Sequence, residues 1–310
     1  MSVAVVFSGQ GNQHSAMLPW LGDGATLSTL NHRLGVPDWR SALADPAWAR
    51  TNANAQVLIT TTALAAWSQI ASRLGVASIE IDGIAGYSVG ELAACAAAGV
   101  IDAAHTIRLA AQRAAFMDEA SRSRPGGLLG VTGLAATVVE AVLLGTPVSI
   151  AIRNGDDSVV IGGPLDDPSL DAVGVVEAAL AARGARCTRL AVSVASHTPL
   201  MRPAAQAFAS ALSSTPMDEP TSPLFDSDGN RVWSADQART GLAHQIDHTV
   251  RWDEVMDQLA ARGPSCVLEI GGGQALAKLW QQRHPAIPAR SADEFRTLDG
   301  VLAWIGRCAA

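Results

Sequence analysis

Ser88 stands within Gly86-Tyr87-Ser88-Val89-Gly90, after an apolar run and before a stretch of small residues. Gly-x-Ser-x-Gly at a strand-to-helix junction is the pattern of a nucleophile elbow. A serine on so tight a turn projects its hydroxyl above the sheet. The crowding demands small flanking residues, which Gly86 and Gly90 supply. The next helix would aim its N-terminal N–H groups at a developing oxyanion, with the Val89 N–H as first donor. The implied chemistry is acyl transfer through an ester on Ser88. The same five residues can also form an ordinary structural turn, so the elbow calls for a base.

Seven histidines are available: His14, His32, His105, His197, His244, His248 and His284. Composition does not choose among them. His197 follows the apolar run 190–195 and precedes Pro199, which places it on a strand-exit loop. That position suits a base approaching a serine from above a sheet. Two glycine-rich segments do not read as phosphate sites. Gly9-Gln10-Gly11 follows a strand, but His14 takes the third glycine position and no acidic residue stands about 20 positions on at a second strand end. Gly271-Gly272-Gly273 lacks the Gly-Lys-Ser/Thr ending of a P-loop.

The elements around these residues alternate between strand and helix. Apolar, β-branched residues 3–7 predict a buried strand ending at Ser8-Gly9-Gln10-Gly11, and 79–85 predict a second one leading into the elbow. Helical spacing marks 54–74 and 91–98, and Asp102 caps a helix running to about residue 121. Residues 20–50, dotted with tryptophan, predict short helices. The texture changes at Arg124-Pro125-Gly126-Gly127. From there the order is strand (128–132), helix (136–144), strands (148–154 and 158–162), helix (170–183) and strand (187–192). That is the ferredoxin-like split βαβ arrangement. Helices follow over 200–212, 236–245 and 250–261, with a loop over 215–230 and a strand over 267–270. The expected fold is an α/β hydrolase-like core with a parallel sheet and nucleophile elbow, plus an inserted ferredoxin-like α+β subdomain. The core would comprise 1–124 and 198–310, and the insert 125–197.

Bulk composition narrows the function. The chain has 310 residues, 48% of them hydrophobic, enough for a sizeable core. Charged residues make up 16% and the net charge is −7, which argues against nucleic acid as a partner. Lys278 is the only lysine, a bias that fits genome composition. Cys95, Cys187, Cys266 and Cys308 form no CxxC pair, so neither a zinc site nor a disulfide framework is expected. The opening MSVAVVF has no basic n-region, and the longest apolar stretch, 92–101, falls short of the roughly 20 residues that span a bilayer. A soluble, cytoplasmic protein with no membrane partner is expected.

Several segments together resemble the malonyl-CoA:acyl-carrier-protein transacylase family. Val6-Phe7-Ser8-Gly9-Gln10-Gly11-Asn12-Gln13 resembles its VFPGQGSQ opening, and Gly86-Tyr87-Ser88-Val89-Gly90-Glu91 its GHSLGE elbow. Gln112-Arg113-Ala114-Ala115-Phe116-Met117 resembles its R-x-x-x-M helix. Val192-Ser193-Val194-Ala195-Ser196-His197 resembles VSVPSH. Val250-Arg251-Trp252 and Glu269-Ile270-Gly271-Gly272-Gly273 resemble its closing segments. They lie in the family order across nearly the whole chain.

The resemblance implies an acyltransferase with Ser88 as nucleophile and His197 as base. It places the backbone N–H groups of Gln10 and Val89 in the oxyanion hole. A backbone carbonyl from 248–252, with Arg251 the best choice, would orient His197. Arg113 would hold the substrate carboxylate, because guanidinium binds carboxylate bidentately. Without the resemblance, Arg113 on an alanine-rich helix reads as a solvated arginine. Gln13, Tyr87, Met117, Asn154 and Ser196 would support the pocket. Malonyl-CoA, a coenzyme A thioester, would be the donor and an acyl-carrier protein the acceptor, with no permanently bound cofactor and no metal.

Three residues depart from the pattern: Tyr87 stands for histidine, Ser8 for proline and Asn12 for serine. GYSVGE is similar to the elbow of the malonate decarboxylase epsilon subunit, which implies that enzyme's carrier subunit as acceptor. The alternatives are a fatty-acid or polyketide transacylase, a serine thioesterase or hydrolase that uses water, and an inactive docking module. Arg113 tilts against the hydrolase, and intact Ser88 and His197 tilt against the inactive module.

Overall fold

Residues 3–7 carry no polar side chain, and all five are buried in the computed structural model. A strand apolar on both faces needs cover on both, the condition of a parallel sheet wrapped by helices. The structure describes residues 2–22, 24–165, 172–192 and 194–308. Its strands in chain order are β1 (Ser2–Phe7), β2 (Glu80–Gly86), β3 (Gly126–Thr132), β4 (Ser149–Gly155), β5 (Ser158–Pro164), β6 (Arg186–Arg189), β7 (Leu224–Phe225), β8 (Arg231–Val232), β9 (Val250–Arg251), β10 (Cys266–Ile270) and β11 (Ala289–Ser291).

The large sheet runs β11-β10-β1-β2-β7-β8. Its pairs from β11 to β7 are parallel, and β8 turns back antiparallel on β7. The expected hydrolase-like parallel sheet with its elbow is therefore present. β1 sits beside β2, so the opening loop and the elbow leave the same sheet edge as neighbours. The helix Asn52–Val76 is buried along much of its length, and Thr51 precedes it in extended conformation. The Asp102 carboxylate accepts from the His105 N–H at 2.8 Å and starts the helix Ala103–Ser123. The expected loop over 215–230 contains β7, because its apolar pair Leu224-Phe225 is buried beside β2.

The small sheet runs β6-β3-β5-β4-β9. Its first four strands have the split βαβ order, with helices Ala136–Leu143 and Ala172–Ala181 as crossovers. The expected start of that second helix, at 170–171, lies outside the described residues. Side chains alternate across the sheet with period two. Leu129, Val131 and Ile161 join Val139 and Val176 in a separate apolar cluster. Leu128, Ile152 and Val160 face the main core instead. β9 pairs parallel with β4 from a segment read as wholly helical; the helix begins only at Trp252. β6 is shorter than the expected 187–192, its last bond passing from the Leu190 N–H to the Leu128 carbonyl. No helix among the described residues is long and apolar enough to cross a membrane.

Candidate active site

β2 enters the elbow and the helix Gly90–Ala97 leaves it. Ser88 between them has φ of +55°, a left-handed conformation that L side chains avoid. A side chain on Gly90 would lie 2.7 Å from the Ser8 carbonyl oxygen, so the turn closes only with glycine there. A side chain on Gly9 would lie 2.8 Å from the Tyr87 carbonyl, which brings the opening loop directly over the nucleophile.

His197 also has a left-handed backbone, at φ +63°, and its N–H donates to the Ile246 carbonyl at 2.8 Å. Its Nε2 lies 2.8 Å from Ser88 Oγ, and its Nδ1 donates to the Gln245 carbonyl. A carbonyl only accepts, so the ring hydrogen belongs on Nδ1 and Nε2 is free to take the serine proton. Burial holds His197 down to about 3; the Arg113 charge adds to this and the Gln245 carbonyl opposes it. The imidazole is therefore neutral at neutral pH, as a base must be.

The orienting carbonyl is that of Gln245, not Arg251. Arg251 lies on β9, where its N–H donates to the Ser227 carbonyl at 2.7 Å and its guanidinium pairs with Glu254 at 2.7 Å. The helix Ala235–His244 ends one residue before Gln245, and the turn that follows reaches His197 before the chain joins the small sheet. A glutamine just past a helix end is weak evidence in sequence. Its function appears only once the turn is folded against the elbow.

Gln245 is buried and organises the site through its side chain as well. Its Oε1 accepts from Arg113 Nη2 at 3.0 Å, and its Nε2 donates to the Ser88 carbonyl at 3.0 Å and to Glu91 Oε2 at 3.2 Å. Arg113 is 1% exposed; its Nη1 donates to Gln56 Oε1 at 2.8 Å, and its Nε is buried without a protein partner. Among the described residues no carboxylate lies in ion-pair contact with it. Burial draws its pKa down to about 10, opposed by the charge of Glu91. A buried cation held only by neutral amides has capacity for an anionic ligand.

Gln10 lies in the opening loop that lines the cleft with Ser88, and Val89 follows the serine in the chain. Val89 precedes the helix Gly90–Ala97, so its N–H is not used by that helix. Among the described residues neither N–H donates to a protein acceptor. Gln13 braces the opening loop: its Oε1 accepts from the Gly11 N–H at 2.7 Å and its Nε2 donates to the Ala49 carbonyl at 2.9 Å. Tyr87 donates to Asn154 Oδ1 on β4 at 3.0 Å and meets the Trp252 ring edge-on at 5.3 Å. Burial pushes its phenol above the usual range, so it stays protonated. Met117 lies buried against Gln56, and Ser196 lines the cleft. Ser193, in the same segment, lies outside the described residues.

Glu269, in the closing Glu-Ile-Gly-Gly-Gly segment, lies near the end of β10. It is fully buried, its Oε1 accepting from Ser8 Oγ at 2.7 Å and its Oε2 from the Ala277 N–H at 2.8 Å. Burial pushes it up to about 7, against those hydrogen bonds. It ties the opening loop to the helix Ala275–Arg283. The cleft above Ser88 has a volume of about 700 Å³, with Leu128, Ile152 and Val160 of the small sheet as one wall. Among the described residues no cluster of three or more His, Cys, Asp or Glu could hold a metal.

Residues 48–285 match the acyl transferase domain family. The chain is 31% identical over 316 residues to the malonyl CoA-acyl carrier protein transacylase of Mycobacterium tuberculosis, covering 96% of this chain and 98% of that protein. It is 31% identical over 311 residues to the transacylase of that name from Escherichia coli K12, with the same coverage. The crystal structure of the Xanthomonas oryzae pv. oryzae enzyme superposes with a TM-score of 0.86 at 29% identity, covering 98% of both chains. A malonyl-transacylase solved in complex with its type II PKS acyl-carrier protein gives a TM-score of 0.88 at 29% identity, covering 98% of this chain and 99% of that one.

Proposed function

The chain belongs to the malonyl-CoA:acyl-carrier-protein transacylase family and is an acyltransferase, and from that premise we propose that it moves malonyl groups from malonyl-CoA to a carrier thiol through a Ser88 ester. His197 Nε2 takes the Ser88 proton as Oγ attacks the thioester carbonyl. The oxyanion settles on the Gln10 and Val89 N–H groups. Collapse expels the coenzyme A thiolate, which takes the proton back from His197. The carrier thiol then gives its proton to His197, attacks the ester carbonyl and releases Ser88 with that proton. The observation that carries the carboxylated substrate is Arg113: a buried guanidinium with a spare Nε, held by the same Gln245 that orients the base.

Intact-protein mass spectrometry after mixing with malonyl-CoA tests this mechanism. The native chain should gain one malonyl group and Ser88→Ala none. An adduct of equal yield on Ser88→Ala would sink it.

The acceptor divides two readings. The relatives support a carrier of fatty-acid or polyketide synthesis. Tyr87, at the position next to the nucleophile, favours the malonate decarboxylase carrier subunit as a second reading. Transfer rates from malonyl-enzyme to each carrier decide between them, and water as the fastest acceptor would restore the thioesterase reading. We also propose that 125–197 is a small unit inserted between 1–124 and 198–310; the separate apolar cluster behind the small sheet supports that division.

A further inference from the structure

Glu91 closes the elbow motif, yet the acyl-transfer steps do not use it. It lies in the first turn of the helix Gly90–Ala97 and is 3% exposed. Ser227 Oγ donates to its Oε2, as does Gln245 Nε2 at 3.2 Å. Gln245 therefore stands between a buried guanidinium and a buried carboxyl group. Its amide can sit only one way. Arg113 only donates, so Oε1 must face it; the Ser88 carbonyl accepts, so the NH2 group must face the elbow and Glu91. Among the described residues Arg113 and Glu91 form no direct ion pair.

We propose that Glu91 is the internal counter-anion of Arg113, a positioning residue acting through Gln245, and that a carboxylated acyl donor binds Arg113 only while Glu91 holds a proton. The proposal rests on Arg113 being the carboxylate clamp. A single guanidinium in a dry site does not balance two carboxylates, and the surplus anion would lie in low dielectric. A neutral acyl donor meets no such condition.

The charges facing Glu91 set where this matters. Burial pushes Glu91 up to about 8; the Ser227 hydrogen bond and the Arg113 charge pull it down, while Asp226 and Asp228 push it up. Cys95, on its own helix, also faces it, and its thiol is pushed up as well. An acid so raised is neutral below that value and ionised above it. Carboxylated donors should then lose affinity on the alkaline side.

The test compares kcat/KM for Ser88 acylation by malonyl-CoA and by acetyl-CoA across this range. The malonyl value should fall about tenfold between one pH unit below and one above the midpoint, carried by KM rather than kcat. The acetyl value should stay level. Glu91→Gln should abolish the fall. Ser227→Ala should move it to higher pH, since the lost hydrogen bond favours the ionised form, and this variant carries the test should Glu91→Gln fail to fold. A fall shared by acetyl-CoA, or a malonyl limb unmoved in Ser227→Ala, overturns the proposal. Arg113→Met separates the two ideas. If it keeps the malonyl preference, the clamp itself fails. If it loses that preference while wild-type malonyl and acetyl profiles coincide, the clamp stands and the role of Glu91 falls.

Discussion

Replacing Arg113 by methionine is the sharpest perturbation of the proposed chemistry. Arg113 is 1% exposed on the helix Ala103–Ser123, packed near Met117 and Gln56. Methionine fills most of that volume, so the helix should keep its place. The guanidinium would make two charge-assisted hydrogen bonds to a malonyl carboxylate, each contributing about 1.5–3 kcal/mol. Allowing for the bonds to Gln56 and Gln245 that compete for its N–H groups, a net of about 3–4 kcal/mol is reasonable. At about 1.4 kcal/mol per tenfold, malonyl kcat/KM should drop by roughly 140-fold to 700-fold. Acetyl transfer should change by no more than a few fold, because an acetyl group has nothing to offer the cation. The assay is stopped-flow or quenched acylation of Ser88 with each donor, read as the malonyl-to-acetyl ratio. Equal losses with both donors would show that Arg113 supports the fold of the site and does not bind the substrate carboxylate.

Four further outcomes follow from the same geometry. His197 is held down to about 3, so it stays neutral through mild acid; the acid limb of acetyl transfer should lie well below the ordinary histidine range of about 6.5. The unfolded chain gains this proton below about 6.5 and the folded one only near 3, so stability should fall as pH falls across that window, and His197→Gln should flatten that slope in denaturant titrations. Gln245→Ala keeps the backbone carbonyl on His197 but strips three hydrogen bonds from Arg113, the Ser88 carbonyl and Glu91; a loss of about 2–4 kcal/mol in unfolding free energy is expected, with malonyl transfer reduced more than acetyl. Tyr87→Phe removes the strut to Asn154 and should destabilise by about 1 kcal/mol; unchanged transfer to every carrier would deny Tyr87 a part in acceptor choice.

Much of the frame was legible in residue pattern. The run 3–7, the elbow with its two glycines, the cap at Asp102 and the strand–helix alternation over 126–189 all carry local signals. Backbone sterics, capping and side-chain periodicity act over a few residues, and a linear reading captures them. Ser88 was visible for that reason, since its strain is local. The short strands β7 and β9 were not: two residues carry no period, and each joins its sheet beside a strand from far along the chain. His197 lies 109 positions from Ser88, and no local pattern along the chain brings the two together.

What the sequence alone determined is the nucleophile and the kind of turn that presents it, because those depend on neighbours in the chain. What only the tertiary structure decided is the polar centre around it. Gln245 reaches His197 across 48 positions and Arg113 across 132. β1 stands between β10 and β2 in the sheet, which brings Ser8 to Glu269 and the opening loop to the elbow. Hydrogen-bond partners and desolvation belong to the assembled interior. They are fixed by which segments meet there, and no local pattern records that meeting.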